Sequence, residues 1–150
     1  MPGQRKGIDI AARCIIARND MLLFQRGRQR NFYRFPGGRL EAYENLPLCL
    51  AREMMEEAGI QVIVGRLYIV NENFYYYKGR LRHELVFYFT CSMPANSEPK
   101  SMERHVVLEW HRPGEILEYF KPRRILEEII RDLDSGSGFR RCRYIQTWET

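Results

Sequence analysis

Gly38-Arg39-Leu40-Glu41-Ala42-Tyr43-Glu44, followed by Arg52-Glu53-Met54-Met55-Glu56-Glu57-Ala58-Gly59-Ile60, is the stretch on which the reading of this chain turns. Glu53, Glu56 and Glu57 stand at i, i+3 and i+4, the spacing that places three carboxylates on one arc of a helix. Like charges so placed cost about 0.2–0.5 kcal/mol per pair on an exposed helix and raise one another's pKa values. Arg52 is the nearest positive charge. A bound divalent cation would reverse the sign of the interaction. An all-oxygen cluster without Cys or His suits a hard ion, Mg²⁺ or Mn²⁺, better than zinc. Asn45 is a good N-cap residue, Pro47 is tolerated in a first turn, and Gly59 is free to take the positive φ of a helix end. Leu46, Leu50, Met54 and Ala58 recur at i+4 and form the face that meets a core. The stretch therefore predicts loop, helix, loop, with an apolar stripe fixing an acidic one.

Outward from it, Pro36-Gly37-Gly38 predicts a tight turn whose missing side chains let the backbone approach a ligand. Upstream, Ile8, Ile10, Ala12, Cys14 and Ile16 alternate with Asp9, Ala11, Arg13, Ile15 and Ala17, the period of a strand. Asn19-Asp20 turns it into a short return strand, Met21 to Phe24. Gln25 to Arg30 then reads as a cationic loop. Arg26 and Arg34, with Arg28 and Arg30 between them, are candidates for gripping substrate phosphates through bidentate guanidinium bonds. Phe32, Tyr33 and Phe35 are placed either to stack on a base or to cover the core.

Downstream, Gln61 to Tyr77 and Leu81 to Met93 predict a long hairpin turning at Lys78-Gly79, with Leu85 to Phe89 central in a sheet covered on both sides. Glu84 with His83, read as standing at the start of that strand, is a candidate for contacting substrate or metal. Pro94 to Arg104 is polar and predicts a mobile loop carrying Glu98 and Glu103. His105 to His111 predicts a strand, Pro113-Gly114 a turn, and Pro122 to Leu133 a strongly amphipathic closing helix. The tail, Phe139 to Thr150, predicts an edge strand or a homodimer contact. Together these elements give an α/β chain, a mixed β-sheet sandwiched between helices.

At 150 residues and 45% hydrophobic content the chain fits a single domain with one core. An excess of 24 Lys+Arg over 19 Asp+Glu, net +5, favours anionic partners without choosing between phosphates and nucleic acid. Cys14, Cys49, Cys91 and Cys142 form no C-x-x-C pair, which excludes a zinc knuckle or a dithiol redox motif and predicts reduced thiols. No apolar run has signal-peptide or membrane-span length, so a soluble cytoplasmic protein without a membrane partner is expected.

Gly38, Glu44, Arg52, Glu53, Glu56, Glu57 and Gly59, with apolar Met54 and Ile60, resemble a complete Nudix box. Seven fixed residues at ordinary usages match by chance on the order of once in 10⁹ starting points. The motif covers residues 38–60, and the resemblance in fold extends over nearly the whole chain. It implies a Nudix-type α/β/α sandwich and a bound Mg²⁺ (or Mn²⁺). Glu56 and Glu57 would be the principal ligands, Glu53 a ligand or the general base, and Gly37 a ligand through its backbone oxygen. Glu98 or Glu103 would supply a further carboxylate. Glu53, Glu56 and Arg52 are the catalytic candidates, Arg52 by holding a neighbouring carboxylate with Glu44 as its partner. Gly38, Glu44 and Gly59 would be structural.

The implied chemistry is hydrolysis within the phosphate chain of a nucleoside diphosphate linked to another moiety, a nucleotide-derived small molecule. Polyphosphate oxygens repel a nucleophile, so a catalyst must neutralise charge, deprotonate water and align it. Tyr76 and Tyr77 fall where dinucleoside-polyphosphate hydrolases of the family carry a tyrosine. The proline of ADP-ribose-cleaving members and the extended motif of NADH-cleaving members are missing. Nucleotide-sugar, ADP-ribose and oxidised-nucleotide hydrolysis stay open. Two other readings are an inactive nucleotide- or RNA-binding module of the same fold, against which the intact glutamates argue, and an RNA 5′-end pyrophosphohydrolase, which steep salt dependence would mark.

Overall fold

The alternation that opens the chain forms β1 (Asp9–Arg18). Ala11 and Ile15 are buried on one side of it and Ala12, Cys14 and Ile16 on the other, so the sheet must be covered twice. The structure is a computed structural model describing residues 7–139 and 141–149. The first six residues, and Arg140 and Thr150 of the tail, lie outside the described residues.

Asn19, in the left-handed region at φ 57°, turns the chain into β2 (Met21–Gly27). This strand runs past Phe24, because β7 (Val106–His111) pairs with it from Leu22 opposite His111 to Gly27 opposite Val106. Gln25 and Arg26 are therefore ladder residues rather than loop. β3 (Tyr33–Arg34) pairs with β2, and β4 (Gly37–Arg39) with β1. β5 (Ile63–Tyr77) and β6 (Arg80–Ser92) form the expected hairpin, Lys78 and Gly79 both at positive φ. Glu84 lies inside β6, correcting the expectation of a strand start. β6 runs parallel to β1, and β8 (Arg143–Glu149), the tail, adds an edge parallel to β5. The resulting mixed sheet has the order β3-β2-β1-β6-β5-β8, with β4 on β1 and β7 on β2.

α1 (Leu46–Ala58) begins as its caps predict. The Asn45 side chain accepts from Leu48 N at 2.9 Å, and Gly59 closes the helix at φ 64°. Its Cys49, Leu50, Met54 and Ala58 pack on Ala12, Cys14, Ile16, Leu23 and Phe89. On the opposite face α2 (Arg123–Asp134) buries Ile125, Leu126 and Ile129 against Ile69, Val86 and Ile145. The segment Pro113–Tyr119, expected only as a turn, winds into a 3₁₀ helix that buries Ile116 in the same core. Asp132 and Glu128 of α2 bind Arg143 at 2.8 and 3.1 Å, and Asp132 also accepts from the Tyr68 hydroxyl, tying the helix to β5 and β8. The α/β/α sandwich is thus present, with two apolar layers where one core was expected. β1–β6 pairing brings the Cys14 and Cys91 thiols to 2.8 Å, a neighbourhood their 77-residue separation concealed.

Two glycines test how tightly this frame is drawn. At φ 143°, a Cβ on Gly37 would strike the Ala12 carbonyl and lie 2.9 Å from Arg13 Cα, whereas at Gly59 the nearest atom would be Met102 Sδ at 3.4 Å. Gly59→Ala is expected to cost about 1–2 kcal/mol, the left-handed penalty alone. Gly37→Ala should cost more than about 3 kcal/mol, because β1 itself would have to move. Thermal unfolding separates the two at roughly 2–4 °C per kcal/mol for a chain of this size.

Candidate active site

Glu57 is the buried member of the acidic helix, 7% exposed at the inner end of α1. Its Oε2 faces the Gly37 amide at 3.4 Å. The Gln25 amide, in the orientation that satisfies both its neighbours, donates to Glu57 Oε2 at 2.8 Å and accepts from Arg13 Nη1 at 3.0 Å. Arg13 Nη1 also donates to the carbonyls of Phe35 at 3.2 Å and Gly37 at 3.1 Å, pinning the turn ahead of the helix onto β1. Burial pushes the Glu57 carboxyl up to about 8, opposed by the charge of Arg13 and reinforced by those of Glu53 and Glu103. Burial first, and Arg34 second, pull the Arg13 guanidinium below its ordinary value.

Glu53 owes its place to Gly38. A Cβ there would fall 2.6 Å from Glu53 Oε2, so the missing side chain is the space the carboxylate occupies. Arg52 then gathers the rest: Glu44 at 2.7 Å through Nη2 and 3.0 Å through Nε, Glu53 at 2.9 Å, Glu56 at 3.4 Å, and the Arg39 carbonyl at 3.0 Å. The Arg52–Glu44 pairing predicted from sequence is bidentate, and Arg52 drives the Glu44 carboxyl down to about 2. The expected convergence of Glu53, Glu56 and Glu57 on one point is not seen: Arg52 draws the first two and Gln25 with Gly37 the third. Among the described residues no three His, Cys, Asp or Glu side chains are gathered so as to hold a metal ion as they stand. Of the loop candidates, Glu98 is taken by Arg18 at 2.6 Å, while Glu103 stands close enough to Glu57 to raise its pKa. The loop is docked on α1, Lys100 N donating to Ala58 O and Met102 N to Glu57 O, both at 3.0 Å.

Gln25 also lines a cavity of about 520 Å³ walled by Arg26, Arg28, Arg30, Arg34 and Arg104, with no carboxylate in its lining. Arg26 is committed to Glu109, at 3.1 Å through Nε and 3.0 Å through Nη2, whereas Arg34 stands without an ion pair among the described residues. Of the three aromatics, Phe35 is fully buried in the core, Tyr33 bonds Glu109 at 2.7 Å, and half-buried Phe32 lies beneath Arg34 and Lys121, each 5.0 Å from its ring centre. Sequence reading missed Arg13, Gln25 and Arg104. The first two alternate unremarkably along strands, and only the cross-strand register aims them at Glu57.

An acidic helix entered through a glycine pair, on an α/β/α sandwich, beside an arginine-walled cavity, defines a class of phosphate-processing folds. The NUDIX domain model matches residues 7–133, and the chain belongs to that family of hydrolases. It is 32% identical over 84 residues to an 8-oxo-dGTP diphosphatase of Buchnera aphidicola subsp. Acyrthosiphon pisum, a match covering 56% of this chain and 63%, under two thirds, of that relative. The solution structure of the E. coli ORF135 protein superposes with a TM-score of 0.64 at 26% identity, covering 85% of this chain and 92% of that one. The MutT protein from Bacillus halodurans shares the fold at a TM-score of 0.67 and 21% identity, over 95% and 91% of the two chains. No described helix is long and apolar enough to cross a membrane.

Because a flexible carboxylate can give way where backbone cannot, Gly38→Ala is expected to fold within about 1 kcal/mol of the parent yet lose at least about 100-fold in hydrolysis as Glu53 is displaced. Unfolding curves and rates on the same samples check both halves. Glu44 supplies a pH signature. Its folded-state pKa is depressed from 4.5 to about 2, so its contribution to stability is complete above pH 4.5 and is lost as pH falls toward 2. Glu44→Gln should be less stable than the parent at neutral pH, and urea midpoints of the two should converge between pH 4.5 and 2.

Proposed function

We propose that this chain is a divalent-metal-dependent hydrolase cleaving a phosphoanhydride bond in a nucleoside diphosphate linked to another moiety. The observation that carries the reading is the buried Glu57 carboxyl, held by Gln25, which also lines the arginine-walled cavity. The donor set fits a hard cation. Glu57 is desolvated within reach of the charges of Glu53 and Glu103, and every side-chain donor of the set is a carboxylate oxygen. We assign Glu53, Glu56, Glu57 and the Gly37 backbone oxygen to hold Mg²⁺ or Mn²⁺, with Glu103 as the further carboxylate. When bound, the ion neutralises phosphate charge and acidifies water.

The remaining work falls to the chain. Glu53, seated over Gly38, accepts the proton of the attacking water. Arg52 positions it and, through Glu44, anchors the loop that carries Gly38. Arg28, Arg30, Arg34 and Arg104 draw in and orient the phosphates, and their flexible reach suits an anion of several charges. The Buchnera relative's activity on 8-oxo-dGTP supports a nucleotide with a polyphosphate chain. A cytoplasmic setting, rich in nucleotides and Mg²⁺, belongs to the same reading.

Product release from a panel of nucleoside diphosphate and polyphosphate derivatives, with Mg²⁺ and with chelator, tests it. Turnover should require the metal and fall by about 10²–10⁴-fold in Glu57→Gln, whose thermal stability should not drop, since a carboxyl raised to about 8 is already mostly uncharged at neutral pH. Tight nucleotide or RNA binding without turnover of any compound would replace the hydrolase by a binding module.

A further inference from the structure

A second cavity, of about 380 Å³, adjoins the arginine-walled one: Arg30, Phe32 and Arg34 stand between them and line both. Tyr75, Lys121 and Glu149 close its far side. Its volume suits a base with its sugar. Glu149 is out of place in such a wall. It is the one carboxylate in a lining that, Asn31 apart, is otherwise cationic and aromatic, and it makes no ion pair among the described residues.

A chain of buried side chains sets its position. Asn71 Nδ2 donates to Thr147 Oγ1 at 2.9 Å, and Thr147 Oγ1 donates to Asn73 Oδ1 at 2.7 Å, which turns the Asn73 nitrogen outward. Asn73 Nδ2 then donates to Glu149 Oε1 at 2.7 Å and to Glu84 Oε1 at 3.0 Å. Asn71 and Asn73 are fully buried and Thr147 nearly so, which shields the relay from water. Among the described residues Glu149 Oε2 accepts no hydrogen bond. Burial, with the neighbouring charge of Glu84, raises the Glu149 carboxyl above its ordinary value, against the Asn73 hydrogen bond and the charges of Arg34 and Lys121.

What would satisfy it is a pair of adjacent N–H donors. Adenine and cytosine present a donor beside an acceptor on their pairing edges, and uracil one donor between two carbonyls. Guanine alone presents N1–H next to an exocyclic amine, the two-donor edge that a carboxylate grips with both oxygens. We propose that Glu149 reads the base of the substrate and selects guanine, which stacks among Phe32 and Tyr75 while its phosphates cross Arg30 and Arg34 toward Glu57. Glu84, expected from the sequence to touch substrate, is a positioning residue acting through Asn73. This inference rests on the nucleotide-hydrolase reading above and narrows it to one base.

The test compares guanosine, inosine and adenosine triphosphates in hydrolysis, and their methylene-bridged non-hydrolysable analogues in calorimetric binding, for the parent and Glu149→Gln. The substitution leaves an oxygen to accept from Asn73, so the relay survives. In the parent, guanosine should exceed inosine, which lacks the exocyclic amine, at least tenfold in kcat/KM, and adenosine at least a hundredfold. In Glu149→Gln the guanosine value should fall 10- to 100-fold with adenosine unchanged within about threefold, erasing the preference. Equal use of the three bases by the parent, or an equal loss for all three in the variant, as a sugar or phosphate contact would give, overturns the proposal. Guanine-selective binding of the analogues without turnover would uphold the base-reading role of Glu149 while ending the hydrolase reading. Turnover without base preference would do the reverse.

Discussion

The constraint on which this molecule depends is the contact of Pro36-Gly37-Gly38 with the two elements on either side of it. Cys14 N donates to the Pro36 carbonyl at 2.8 Å, Gly37 has no room for a side chain against β1, and Gly38 has none against Glu53. Two successive residues thus bring the backbone to van der Waals limits with the sheet below and the acidic helix above. The helix is held from its other side by Leu50, Met54 and Ala58 in the core, so neither its rotation nor its depth is free. An ångström of slack here would leave the carboxylates in place chemically and useless geometrically.

Two arginines divide the charge that this packing concentrates. Arg13 works from beneath the sheet surface, tying the Phe35 and Gly37 carbonyls together and offsetting part of the cost of burying Glu57. Arg52 works from the helix, where its bidentate bond to Glu44 leaves Nη1 for Glu53 and Glu56. The two are not interchangeable with lysine, since each spans several acceptors in one plane. Their division also explains why the three glutamates, adjacent on the helix, occupy such different environments: Glu57 is sealed, Glu53 is wedged over a glycine, and Glu56 is half in water.

Much of this was legible along the chain because it is local. The period of two in β1, the Asn45 cap, the Gly59 stop and the Glu44–Arg52 pair are all settled within a few residues, and each appears as read. Arg13, Gln25 and Asn73 were not legible, because in sequence they are polar positions of alternating strands like any other. Their meaning comes from pairings between strands that do not follow one another in the chain, β1 with β4, β2 with β7 and β5 with β8, for which no short-range signal exists. The same long-range pairing extended β2 through Gln25 and Arg26, residues whose composition suggests loop. The aromatics beside the basic stretch were undecidable for a related reason. Phe35 is core and Phe32 is not, yet they lie three residues apart in the same kind of sequence.

The layout separates two tasks that evolve under different demands. The glutamates of the acidic helix and the glycine turn that meets them are drawn from β1, β4 and α1, a block locked by glycines and buried methionine and leucine. The two cavities beside that block are lined mainly from the β2–β3 connection, the end of β5 and the last residues of β8. Those segments sit at the margins of the sheet, where a side chain can change without disturbing the glycine contact. The acidic helix can therefore stay constant while the arginine wall and the carboxylate at its far side are rewritten.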